Sequence, residues 1–105
     1  MALLEVHWET VTPQMRHLLK FIGHQSFSRR FYLAGGTALA LRLGHRKSVD
    51  LDFFSETDNL FHLTRREILQ SLASYKPQTI EDVDGNLLLL VSELHVGFFG
   101  YGYFS

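Results

Sequence analysis

Cysteine is absent from the 105 residues, which excludes a disulfide framework, a zinc–thiolate centre and a cysteine nucleophile. Charge of one sign is missing too: ten Lys plus Arg against eleven Asp plus Glu leave a formal net charge of −1. That balance argues against a globally basic nucleic-acid binder and leaves open only a local basic patch. Long hydrophobic runs are also lacking. The longest stretches free of charge, residues 31–41 and 96–105, fall well short of the ~20 apolar residues of a membrane helix. The start, Met-Ala-Leu-Leu-Glu-Val-His-Trp, has no basic segment leading into an apolar one, so no secretion signal is expected. With two prolines and no Pro-, Ser- or Gly-rich linker, nothing divides the chain. What it does have is core material. Hydrophobic residues make up 46% against 20% charged, the balance of a folded domain rather than a disordered tail. The expectation is one soluble, cytoplasmic domain over residues 1–105.

Thr12-Pro13 reads as a helix start, a hydroxyl N-cap followed by proline at the first helical position. Met15, Leu18, Leu19 and Ile22 then recur on one helical face, and residues 23–27 end the helix. Phe31-Tyr32-Leu33-Ala34 is a short apolar run predicting a buried strand, stopped by Gly35-Gly36. Thr37 is placed to cap a second helix over residues 38–43, which Gly44 terminates. Residues 49–54 alternate: Val49, Leu51 and Phe53 point one way, Asp50 and Asp52 the other. Thr64 and Glu67 have the spacing of a capping box, ahead of a third apolar face made by Ile68, Leu69, Leu72 and Tyr75 and closed by Pro77. Asp84-Gly85, between residues 79–84 and 86–92, is a two-residue hairpin signal. Residues 95–104 predict a further strand thick with Phe and Tyr. The order α-β-α-β-α-β-β-β implies an α+β domain, a mixed or antiparallel sheet with helices packed on one side. Three readings are open for the aromatic strand: a place inside the sheet as hydrophobic core, cover by a partner subunit, as in a homodimer, where a following segment is absent, or a surface on which bases stack.

Chemistry concentrates in residues 33–54. Aspartate is depleted in strands, and like charges on one face repel. Asp50 and Asp52, about 6.6 Å apart along the strand, suit either a solvated polar face or a pair converging on a hard divalent cation. Gly35-Gly36 stands where a strand turns into a helix. Without Cβ atoms a phosphate can approach that backbone and its first amides, with the Thr37 hydroxyl as a further donor; the alternative is an ordinary tight turn. No Gly-Lys-Ser/Thr follows and no G-x-G-x-x-G occurs there, so neither a P-loop nor a dinucleotide fingerprint is present. The six histidines show no zinc spacing, and Ser48 has no nucleophile elbow. Together, Gly-Gly-Thr, the basic Arg46-Lys47 and Asp-x-Asp suit triphosphate chemistry, in which phosphates are neutralised, magnesium is held and the α-phosphorus is positioned for in-line attack.

Residues 31–55, Phe-Tyr-Leu-Ala-Gly-Gly-Thr-Ala-Leu-Ala-Leu-Arg-Leu-Gly-His-Arg-Lys-Ser-Val-Asp-Leu-Asp-Phe-Phe-Ser, closely resemble the AbiEii-like toxin nucleotidyltransferases of the DNA polymerase β-like superfamily. The resemblance implies a minimal nucleotidyltransferase fold moving a nucleotidyl group from an NTP, with Mg²⁺, onto an acceptor. Gly35, Gly36 and Thr37 fall on the family's Gly-Gly-Ser/Thr motif, and Asp50 and Asp52 on its first two metal carboxylates. Arg46 and Ser48 fall in the segment that lies close to the nucleotide in the family, and Arg46 or Lys47 is expected to contact phosphate. The setting implied is a toxin–antitoxin or phage-defence pair with an antitoxin protein, and an RNA acceptor. The chain also departs from the pattern. The superfamily carries a third carboxylate on a later strand, where this chain has Val96, Gly97 and Phe98; Glu93, otherwise a turn residue, is the nearest acid. The helical half that usually follows is not matched. A non-catalytic nucleotide-binding or interaction module of the same fold is therefore the alternative, with a metal-dependent phosphohydrolase third.

Overall fold

The first helix begins where the sequence predicts. In α1 (Pro13–Gly23) the Met15 amide donates to the Thr12 hydroxyl at 3.1 Å, and Met15, Leu18, Leu19 and Ile22 form the buried face. This computed structural model describes residues 12–34, 50–83 and 85–100. The expected helix at 38–43, Val49, Asp84 and the aromatic residues from 101 onward lie outside them. A 3₁₀ turn (Ser26–Arg30) buries Phe27 and leads into β1 (Tyr32–Ala34). Next come β2 (Asp50–Phe54), α2 (His62–Ser71) and a 3₁₀ turn (Ala73–Tyr75). Three strands complete the order, β3 (Gln78–Val83), β4 (Asn86–Val91) and β5 (Leu94–Phe99).

The capping box does not form. Helix α2 starts at His62 with Phe61 in the cap position and no side-chain cap, so Thr64 and Glu67 lie inside the helix. Both have better partners far along the chain. The Thr64 hydroxyl donates to Asp58 Oδ2 at 2.8 Å, and Glu67 accepts from Arg30 Nη2 at 2.5 Å and from the Ser26 hydroxyl at 2.8 Å. Arg30 Nε reaches Asp58 Oδ2 at 2.9 Å. These charge-assisted bonds tie the loop after β2 to α2 and to the turn before β1.

The strands form one sheet in the order β1-β2-β5-β4-β3. β2 and β5 run parallel, and every other neighbouring pair is antiparallel. The β3–β4 hairpin turns at Gly85, φ 76°, as the Asp-Gly signal predicts. The β4–β5 hairpin turns through Ser92 and Glu93, φ 51° and 69°, the double left-handed pattern of a type I′ turn. Glu93 is thus a turn residue, as its alternative reading had it.

Leu33, Leu51, Phe53, Leu87, Leu89, Val91, Val96 and Phe98 line one face of the sheet and join the buried faces of α1 and α2 in a single core. Phe98 is fully buried, with ring centroids of Phe53, Phe31 and Phe27 at 5.3, 5.6 and 5.8 Å. Among the described residues, the helices pack on one side of the sheet, as expected of an α+β domain. The homodimer expectation meets an obstacle here. β5 lies between β2 and β4 with both edges paired, so residues 94–99 have no free edge for a second copy. Among the described residues no helix is long and apolar enough to cross a membrane.

Candidate active site

The face of the sheet opposite the core carries the two aspartates. Alternation in β2 buries Leu51 and Phe53 against the helices and turns Asp50, Asp52 and Phe54 the other way. Register then decides their neighbours. His95 of β5 stands opposite Asp50, Gly97 opposite Asp52 and Phe99 opposite Phe54, while Tyr32 of β1 pairs with Phe54 from the other side. Three rows result: Asp50 with His95, Asp52 with Gly97, and Tyr32 with Phe54 and Phe99.

Asp50 Oδ1 is 3.4 Å from His95 Nδ1, an ion pair when the ring is protonated, and both side chains are about half exposed. Asp52 is also half-buried. Burial, and after it the charge of Asp50, pushes its carboxyl above the usual carboxylate range. The space beside it is kept by Gly97: a Cβ there would lie 2.9 Å from Phe99 Cε2 and 3.3 Å from Asp52 Oδ1.

Two oxygen-donor side chains on one strand face, one of them held with a raised proton affinity, are a donor set a hard divalent cation satisfies. The chemistry of Asp50 and Asp52 therefore fits the metal that the resemblance implies. Among the described residues, no third His, Asp or Glu closes with them into a three-ligand cluster.

The model of the family described as nucleotidyl transferase AbiEii toxin, type IV toxin–antitoxin system, matches residues 16–87. The chain belongs to that family. An uncharacterised Aquifex aeolicus (strain VF5) protein, aq_aa25, is 32% identical over 93 residues, which are 86% of this chain and 43% of that protein. The chain thus spans less than half the length of this curated relative. Among solved structures, the antibiotic-resistance factor ANT(2'')-Ia in solution superposes with a TM-score of 0.63 at 20% identity, over 83% of this chain and 46% of that one. The Thermotoga maritima CCA-adding enzyme, solved with tRNA, gives 0.65 at 19% identity, over 91% of this chain and 24% of that one. At such identities the likeness shows the fold, which is the polymerase β-like nucleotidyltransferase fold.

Of the residues singled out from the sequence, Asp50 and Asp52 stand together on the open face as the alternation requires. Gly35, Gly36, Thr37, Arg46, Lys47 and Ser48 lie outside the described residues. His95 was not singled out, because forty-odd positions of chain separate it from Asp50 and only the parallel β2–β5 register brings them together. The cross-strand row beside Asp52 is not legible for the same reason: of its rings only Phe99 lies in the aromatic run, while Tyr32 and Phe54 come from other strands. Its one sequence signal is that Phe54 and Phe99 have the same strand parity as the aspartates and His95.

Proposed function

We propose that this chain is a nucleotidyltransferase core that transfers a nucleotidyl group from an NTP to an acceptor hydroxyl. The observation that carries this reading is the pair Asp50 and Asp52 on the open face of a central strand, in a chain of the AbiEii family. Asp50 and Asp52 would hold Mg²⁺, which when bound supplies charge neutralisation at the triphosphate and polarises the α-phosphorus. Gly35, Gly36 and Thr37 are assigned to the phosphates through backbone amides and a hydroxyl, with Arg46, Lys47 and Ser48 beside them. The acceptor oxygen forms a bond to the α-phosphorus as the bond to the bridging oxygen breaks; pyrophosphate leaves, and the acceptor proton passes to solvent. RNA is the acceptor proposed, and an antitoxin protein within a toxin–antitoxin or phage-defence pair the partner.

A second reading has its own support. With His95 and Gly97 at the positions opposite the aspartates, β5 supplies no third carboxylate, which favours a nucleotide-binding module without turnover. One experiment separates the two: calorimetric titration of each NTP with and without Mg²⁺, on the wild type and on Asp50→Asn/Asp52→Asn, beside an assay for pyrophosphate release with RNA present. Magnesium-dependent binding and release, both lost in the double variant, support transfer. Binding without release supports the module. Binding that ignores both magnesium and the aspartates refutes the assigned site.

A further inference from the structure

The aromatic row is the feature of the open face that the metal site leaves unused. Tyr32, Phe54 and Phe99 come from three adjacent strands, in register, and their rings stack across the sheet. Centroids of Tyr32 and Phe54 are 6.2 Å apart at 28°, and those of Phe54 and Phe99 4.8 Å apart at 22°. These are near-parallel stacks, the arrangement that Phe53 and Phe98 also take in the core at 5.3 Å and 16°. Tyr32, at the outer end of the row, is 48% exposed. The row is also continuous with the aspartates. Phe99 leans back over Gly97 so far that a Cβ on that glycine would touch both the Phe99 ring and the Asp52 carboxylate.

Position along the strands suggests which part of a reaction the row serves. It lies one strand repeat beyond Asp52, about 6.6 Å, on the side away from Asp50. β1 runs antiparallel to β2 with Ala34 opposite Asp52, so the end of β1 to which Gly35-Gly36-Thr37 are joined in sequence is the end nearer Asp50. In-line displacement requires the attacking oxygen and the leaving pyrophosphate on opposite sides of the α-phosphorus. A triphosphate at the Asp50 side therefore leaves the aromatic side to the acceptor. Exposed aromatic rings on a sheet are a surface on which bases of single-stranded nucleic acid stack, with little sequence preference.

We propose that Tyr32, Phe54 and Phe99 form a stacking platform for a base of the acceptor strand, with Tyr32 its accessible contact, so that the sugar hydroxyl of that nucleotide reaches toward Asp52. This rests on the transferase reading above.

The test uses the full chain and a fluorescein-labelled single-stranded oligoribonucleotide of about eight nucleotides, within the range of such sites. Affinity is read by fluorescence anisotropy on wild type, Tyr32→Leu and Tyr32→Phe, with ATP–Mg²⁺ affinity and melting temperature measured in parallel. Leucine keeps the bulk and removes the π face. The expected result is a loss of oligonucleotide affinity of about 5- to 150-fold for Tyr32→Leu, the range for one base–aromatic stack. Tyr32→Phe should stay within about twofold, and ATP affinity should not change.

Four outcomes would overturn the platform. A loss of ATP affinity with the oligonucleotide unaffected would hand the row to the donor base. Equal affinities for all three proteins would make it cross-strand packing alone, as would equal losses for Phe and Leu that track melting temperature. No binding of the oligonucleotide by wild type would remove its occupant. Failure of the parent reading looks different: an oligonucleotide bound through Tyr32 with no aspartate-dependent NTP binding keeps the platform and loses the transferase.

Discussion

Replacing Asp52 by Asn should make the protein more stable at neutral pH, because the wild-type carboxylate is held against two unfavourable influences. Burial and the charge of Asp50 both push its proton affinity up. Side chains two residues apart on one strand face are about 6.6 Å apart. Two unit charges at that distance repel by ~0.6 kcal/mol in water and ~2.5 kcal/mol at an effective dielectric constant of about 20. The Asp50 side chain is 49% exposed, so screening favours the lower part of that range, and Asp52→Asn should gain about 1 kcal/mol. In a chain of this size that corresponds to a urea midpoint higher by roughly 0.5–1 M with unchanged slope, or a Tm higher by roughly 4–8 °C. Far-UV circular dichroism during urea titration measures it. The sign with pH follows from the direction of the shift. A carboxyl whose folded pKa lies above its unfolded value costs nothing below the unfolded pKa, near 3.9 for Asp, and costs most above the folded one. The gap between variant and wild type should therefore open as pH rises from about 4 toward 7 and close on acidification. Magnesium adds a check, since at ten times its Kd it should stabilise the wild type by ~1.4 kcal/mol and the variant much less. A lower midpoint for Asp52→Asn at pH 7, or a gap of the same size at pH 4 and pH 7, would refute the reasoning.

Three further outcomes are expected. Phe98→Ala removes a fully buried ring that touches Phe27, Phe31 and Phe53; the loss should be about 3–5 kcal/mol, enough to leave the variant largely unfolded by circular dichroism, whereas Phe98→Leu should keep a cooperative transition. Gly100→Ala would place a Cβ 2.7 Å from the Asn59 carbonyl carbon and 2.8 Å from the Asp58 carbonyl oxygen. Backbone cannot rotate aside as a side chain can, so the variant should lose about 1–3 kcal/mol in urea titration. Glu67→Gln should cost about 1 kcal/mol at pH 7, discounted for partial exposure, because the Arg30 hydrogen bond and then that of Ser26 hold the Glu67 carboxyl below the usual range. That contribution is complete above the ordinary glutamate pKa and is lost as pH falls through the lowered one. The melting temperatures of Glu67→Gln and wild type should therefore converge in acid.

Local patterns in the chain predict local structure well here. The Thr12 cap, the buried face of α1, the alternation of residues 50–54 and the Gly85 turn all follow from rules that act over a few residues. So does the pairing of Asp50 with Asp52 on one face, because a strand alternates whatever its neighbours are. The dense match over residues 31–55 already pointed to the family. Thr64 and Glu67 show where that logic stops. Their spacing promises a cap, but charged and hydroxyl partners brought up by folding, Arg30, Ser26 and Asp58, claim both side chains. Strand order and register stop it again. That β5 pairs on both edges, setting His95 opposite Asp50 and a row of rings beside Asp52, depends on long-range hydrogen bonds. No spacing within β2 or β5 encodes that register. The sequence by itself determined α1, the acidic face of β2, the turn at Gly85 and the family. Only tertiary structure decided which residues share that face, because sheet pairing joins strands by backbone geometry across tens of intervening residues.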